Sequence, residues 1–121
     1  MAITELYSGT VQVSASASEF SLVTQAYGSG ASVTTDGIIQ VFLDLNELQN
    51  GNIYDFKIKE KITSGGTQRT VHYETLAHAQ GAAPGYAAPA LVLMHGWDAT
   101  LTLTNGGGSA QSIGWSIRQI A

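Results

Sequence analysis

A chain of 121 residues without a single cysteine has the size of one domain and enough length to bury a core unaided, and it can form no disulfide, thiolate metal site or cysteine nucleophile. Nine acidic residues against five basic ones give a net charge of −4, which opposes binding to phosphate backbones and anionic membranes and so excludes the usual nucleic-acid partners. Only 12% of the residues are charged, against roughly 25% in soluble domains, and a surface so poor in charge suits either a chain packed against protein neighbours or a monomer with a Ser/Thr-rich exterior.

Alternation of apolar and polar residues sets the secondary structure. Two opening runs, Ile3 to Val13 and Phe20 to Gln25, flank the small-residue link Ser14 to Ser18. Ala26 to Thr35 is Gly, Ser, Ala and Thr with little to bury, and reads as a loop that a partner would have to hold. Ile38 to Leu43 is apolar at almost every position, the pattern of a central strand covered on both faces. Asp44 and Glu47 have the spacing of a capping box and predict a single helical turn.

The clearest strand is Tyr54 to Ile62, with Tyr54, Phe56, Ile58 and Ile62 on one face and Asp55, Lys57, Lys59 and Lys61 on the other. A tight turn at Ser64–Thr67 leads into its partner, Gln68 to His78. Gly81 to Pro89 carries two prolines and predicts a long unpaired crossing. Ala90 to Met94 reads as a second fully buried strand, and Ala99 to Thr104 as a half-exposed one. After the turn Asn105–Gly108 comes a last strand with Ile113, Trp115 and Ile117 inward. The expectation is a single-domain, all-β, antiparallel β-sandwich or jelly roll of seven to eight strands, with Phe42, Phe56, Trp97 and Trp115 in its core.

The candidates for chemistry are few. His72, His78 and His95 invite a metal, but His72 and His78 lie six residues apart on one strand, about 20 Å at the usual rise per residue, too far to share one ion. His95–Asp98 pairs an imidazole with a carboxylate yet lacks a nucleophile elbow; Trp97 is expected to close one end of the sandwich while Asp98 binds backbone amides in the bend. The glycine-rich segments precede strands, whereas phosphate cradles precede helices. Glu60 shares the parity of the apolar face and is expected either to leave at a sheet edge or to pair with Arg69 across the hairpin. Lys57, Lys59 and Lys61 form a basic stripe, either a solvated edge guard or a docking surface for an acidic protein. Neither catalysis nor a cofactor nor a metal is expected. The opening residues show no basic-then-apolar leader, and no apolar run approaches the about 20 residues that span a bilayer, so a soluble protein without an export signal is expected.

Four blocks, Ile3–Gly9, Asp36–Leu45, Leu91–Asp98 and Ser112–Arg118, resemble small β-sandwich proteins encoded among the virion genes of tailed bacteriophages. That resemblance implies a virion component made in the host cytoplasm, most of all a capsid decoration or cement protein that binds the major capsid protein or other virion proteins, commonly as a homo-oligomer. It would place capsid contact on the N-terminal segment, with Ile3, Glu5 and Tyr7, and on the two irregular loops, with Tyr27 and Tyr86, alongside the lysine stripe Lys57, Lys59 and Lys61; neighbour contacts would run along sheet edges. Two other classes stand beside it. A carbohydrate- or receptor-binding module of a phage tail or cell surface would present Tyr27, Tyr86 and Trp97 to a glycan, and a small hydrolase would depend on His95.

Overall fold

The computed structural model describes residues 2–14, 18–28, 30–49, 51–77, 84–105 and 111–120, and it is all-β. Its strands are β1 (Ile3–Gln12), β2 (Glu19–Ser21), β3 (Ala26–Tyr27), β4 (Gly37–Asp44), β5 (Ile53–Lys61), β6 (Gln68–Ala77), β7 (Gly85–Ala87), β8 (Leu91–Leu93), β9 (Asp98–Asn105) and β10 (Ser112–Ile120). They form two antiparallel five-stranded sheets, one ordered β1-β10-β4-β7 with β8 also on β4, the other β3-β2-β9-β5-β6. Residues from both sheets share one apolar cluster, an arrangement consistent with a β-sandwich.

Ten strands replace the expected seven to eight. The additional pairings lie in segments read as loops: β3 returns along β2, and β7 pairs with β4 from Phe42↔Ala87 to Asp44↔Gly85. The prolines do not forbid β7 because Pro84 and Pro89 bracket it, and Pro84 contributes only its carbonyl, to the Leu45 amide. The predicted helical turn is a β-turn instead. The Asp44 carboxylate accepts the Asn46 amide, and Leu48 N–H donates to the Leu45 carbonyl. His78, the glycine turn after Asn105, and parts of the Ser14–Ser18 link and the Gly81–Pro89 crossing lie outside the described residues.

The core is built by parity. Ile39, Val41 and Leu43 of β4 and Ile113, Trp115 and Ile117 of β10 face Tyr54, Phe56 and Ile58 of β5 and Leu101 and Leu103 of β9. Each large side chain removed from water contributes about 1.5–3 kcal/mol. Phe56, Trp97 and Trp115 are buried as expected. Trp97 meets Tyr7 edge-on at 6.3 Å and donates its Nε1–H to the Thr35 carbonyl at 2.8 Å.

Phe42 is not in the core. It alternates with the buried Val41 and Leu43, so it stands half-buried on the outer side of the first sheet. The same correction applies to both runs read as doubly covered. β4 and β8 are each covered on one side only: Ile39 and Leu93 are buried, whereas Ile38 and Val92 are exposed. β9 departs in the opposite direction. Thr100, expected outside, is buried: its hydroxyl donates to the Glu19 carboxylate, and it lines a small cavity with Gly28, Gly30 and Asp98.

Gly9 sits opposite Trp115 in the β1–β10 register, and a Cβ built there would lie 2.7 Å from the Cζ2 and Cη2 atoms of the indole. Gly9→Ala should therefore cost about 1–3 kcal/mol by overpacking, read as a lower urea midpoint with an unchanged slope. Phenylalanine lacks the clashing atoms, so in a Trp115→Phe background the same substitution should cost measurably less. Equal costs in the two backgrounds would refute the close approach.

Candidate functional site

The outer side of the first sheet carries a row of aliphatic side chains. Cross-strand register aligns Ile3 with Ile120, Ile120 with Ile38, and Ile38 with Val92, so four aliphatic side chains form one row across β1, β10, β4 and β8. Ile3 is 67%, Ile38 40% and Val92 76% exposed, with Met94 beside them at 50%. A single exposed aliphatic is ordinary, but a contiguous row is not. The row explains the sequence pattern that misled: continuous hydrophobicity in β4 and β8 does specify two apolar sides, and no described residue covers the second.

The next rows are polar and small. Glu5, Arg118 and Gln40 lie in register, followed by Ser8, Ser116, Phe42 and Ala87, and then by Thr10, Gly114, Asp44 and Gly85. The Arg118 guanidinium lies 3.9 Å from the Phe42 ring centroid, a cation–π contact. Arg118 Nε–H donates to Ser116 Oγ at 3.1 Å, and Ser116 donates in turn to the Glu5 carboxylate. Gln40 spans to the strand beside it, its amide donating to the Ala88 carbonyl at 2.7 Å. The small residues leave a trough of about 520 Å³ walled by Phe42, Asp44, Thr10 and Arg118.

The structure separates the other candidates. Ile3 and Glu5 lie on this outer side, but a bulge between Glu5 and Tyr7 turns Tyr7 inward against Trp97. Tyr27 donates to the Gln12 carbonyl and accepts the Ser14 amide; Tyr86 meets His72 Nε2 at 3.1 Å across the gap between β6 and β7. Trp97 is fully buried. The three aromatics of the glycan reading therefore form no common platform. Among the described residues no three of His, Asp and Glu group as a metal site, and no helix is long and apolar enough to cross a membrane.

Two of the three lysine side chains, those of Lys59 and Lys57, are engaged within the chain. Lys59 forms an ion pair with Glu19, Lys57 lies 5.6 Å from the Tyr73 ring centroid, and Lys61 donates its backbone amide to the His95 carbonyl. Glu60 lies opposite Arg69 in register as expected, but its carboxylate accepts the Met94 and His95 amides and so fixes the bend before β9. Asp98 acts as the sequence suggests and further. One oxygen accepts Ser21 Oγ–H at 2.8 Å and the Ala99 amide at 2.9 Å, and the other accepts the Ala31 amide at 3.1 Å. Gln68 adds donors to the Ala31 and Gly96 carbonyls, both at 2.9 Å. The loop expected to need a partner is thus held by its own chain, over a cavity of about 90 Å³.

Burial raises the Asp98 carboxyl above its ordinary 3.8, against the lowering effect of the Ala31, Ser21 and Ala99 bonds and of the Lys59 charge. Glu19 goes the other way: burial alone would raise it, but the bonds from Lys59 and Thr100 and the charges of Lys59 and Lys57 together take it below 4.5. Above 3.8 and up to the raised native value, the folded chain holds the Asp98 proton more tightly than the unfolded chain, so this residue's share of stability falls as pH rises through that window. Asp98→Asn cannot ionise. The stability advantage of the parent chain over Asp98→Asn should accordingly narrow in urea titrations as pH rises above the ordinary carboxyl value of 3.8, and a widening gap would contradict the burial effect.

No protein-family model matches this chain, and no curated protein does. Among solved structures it is similar to the Yersinia pseudotuberculosis-derived mitogen, with a TM-score of 0.46, 10% sequence identity, and coverage of 99% of this chain and 86% of that one. A likeness that distant says nothing of what the chain binds.

Proposed function

We propose that the chain is a non-enzymatic structural protein of a phage virion, a decoration protein that binds the assembled head and works in contact with protein neighbours. One observation carries the adhesive part of this reading: the row Ile3, Ile120, Ile38 and Val92 keeps a second apolar side on strands that the domain itself covers only once. Such surplus hydrophobicity is disfavoured on a free surface and favoured where another protein completes the layer. The virion part rests on the resemblance of the four sequence blocks. Strand order supports the finer fold reading: β3 is a short return of β2, and β7 and β8 share one position beside β4, so the remaining strands run in the two four-stranded sheets of a jelly roll. Jelly rolls also serve lectins, and fold alone assigns no function. The dispersed Tyr27, Tyr86 and Trp97 favour protein contact over a sugar platform.

Mixed with virion heads that lack it, the purified chain should co-sediment saturably, and Val92→Lys should weaken that binding by about tenfold or more while leaving the melting temperature unchanged. Mass spectrometry of purified virions should recover the chain at a fixed ratio to the capsid protein. Absence from virions with no head binding would overturn the reading, and retention on a glycan array without head binding would replace it with the carbohydrate module.

A further inference from the structure

We infer that a second copy of this chain covers the outer side of the first sheet, in a two-fold dimer whose axis runs along the strands between β10 and β4. The inference deepens the adhesive reading of the same surface by naming its occupant. Two sheets packed with their outer sides together are related by a two-fold axis lying between them, and the cross-strand register decides its direction. An axis across the strands would set the aliphatic row against the row containing Thr10, Gly114 and Asp44 and leave both poorly matched. An axis along the strands keeps every row opposite itself.

With the axis between β10 and β4, each residue of β10 faces the β4 residue that pairs with it in its own sheet. Ile120 then meets Ile38 of the second copy, so the aliphatic row is buried against itself. Bulk also meets space. Phe42 faces Ser116 of the second copy, and Asp44 faces Gly114, whose missing side chain opens the trough. Charge is compatible too, because Arg118 faces the neutral Gln40 and no two like charges are opposed. A sheet four strands wide and four outward residues long measures roughly 19 by 27 Å at standard strand spacings. Two such surfaces bury about 1,000 Å² in total, at the threshold for a specific interface. The same pairing explains why β10 presents Gly and Ser outward while β4 presents Asp and Phe.

Sedimentation equilibrium of the purified full chain, without heads, tests this directly. A monomer–dimer equilibrium is expected, with Val92→Lys weakening it by about tenfold or more and Ile62→Lys, equally exposed but off this side, leaving it unchanged. Gly114→Leu is the sharper variant. A Cβ there has ordinary clearance, 3.6 Å from Thr10 Oγ1 and 3.7 Å from Asp44 Cβ, and an unchanged circular-dichroism spectrum checks that the leucine variant folds. Added apolar surface would tighten unspecific association, whereas the two-fold arrangement predicts at least about a tenfold loss, because the leucine fills the space that receives Asp44. Because the chain has no cysteine, a mixture of Ile38→Cys and Ile120→Cys chains should cross-link through a bis-maleimide about 10 Å long, the usual gap between packed sheets, while Ile3→Cys alone should not. A monomer at all concentrations, a dimer insensitive to Val92→Lys, or tightening by Gly114→Leu would overturn the inference. A monomer that still loads onto heads through this side would overturn it and leave the head-binding reading standing; a dimer with the expected cross-links that never binds heads would do the reverse.

Discussion

The alternation of side chains across a strand is the constraint from which the rest of this structure follows. Once Val41 and Leu43 point into the single core, Gln40, Phe42 and Asp44 must point away, whatever their hydrophobicity. β10 obeys the same rule with Ile113, Trp115 and Ile117 inside and Gly114, Ser116 and Arg118 outside. The interlocked inward residues leave no freedom to rotate an unwanted isoleucine away from water. Ile38 is exposed and Ile120 only half-buried because Ile39 and Ile117 take the inward positions.

Much of this was legible before any coordinates. The strand Tyr54 to Ile62 declares its buried side plainly, since charged residues mark the other; β5 buries Tyr54, Phe56 and Ile58 as that pattern predicts but ends at Lys61, so Ile62, assigned to the same side, lies beyond the strand and is 67% exposed. Runs without such marking were misread. Ile38 to Leu43 and Ala90 to Met94 carry apolar residues on both parities, and local sequence cannot tell whether the second layer belongs to the same chain or to another. Phe42 was placed inside for that reason. Arg118, which stacks on it, was unmarked because its partner is set by cross-strand register, a non-local quantity. The short strands β3 and β7 were missed because two or three residues are too few to show a period.

Two carboxylates that sequence reading marked for possible chemistry, Asp98 and Glu60, instead satisfy backbone groups, as do two glutamines that it did not mark. Asp98 holds the Ala31 and Ala99 amides, Glu60 the Met94 and His95 amides, Gln68 the Ala31 and Gly96 carbonyls, and Gln40 the Ala88 carbonyl. Each serves a crossing segment whose amides or carbonyls lack a ladder partner, and an unpaired buried backbone group costs about 1–3 kcal/mol. In a chain with few charged residues this use accounts for why carboxylates stand near the bends. It also explains how long connections stay ordered without covalent staples.

The sheet edges sharpen the contrast with the outer side. β1 is bulged between Glu5 and Tyr7, and β6 is disrupted where Ile58 and Lys59 pair with His72 and Thr70, leaving Val71 over. β3 spans two residues, and β7 and β8 three each. Bulges and brevity are the devices that keep a β-protein from joining edge to edge, where backbone pairing would extend without limit. A flat side offers no such ladder: its contact is set by side-chain shape and closes when two copies meet. A protein whose edges are blunted while one side stays apolar can associate through that side and stop there.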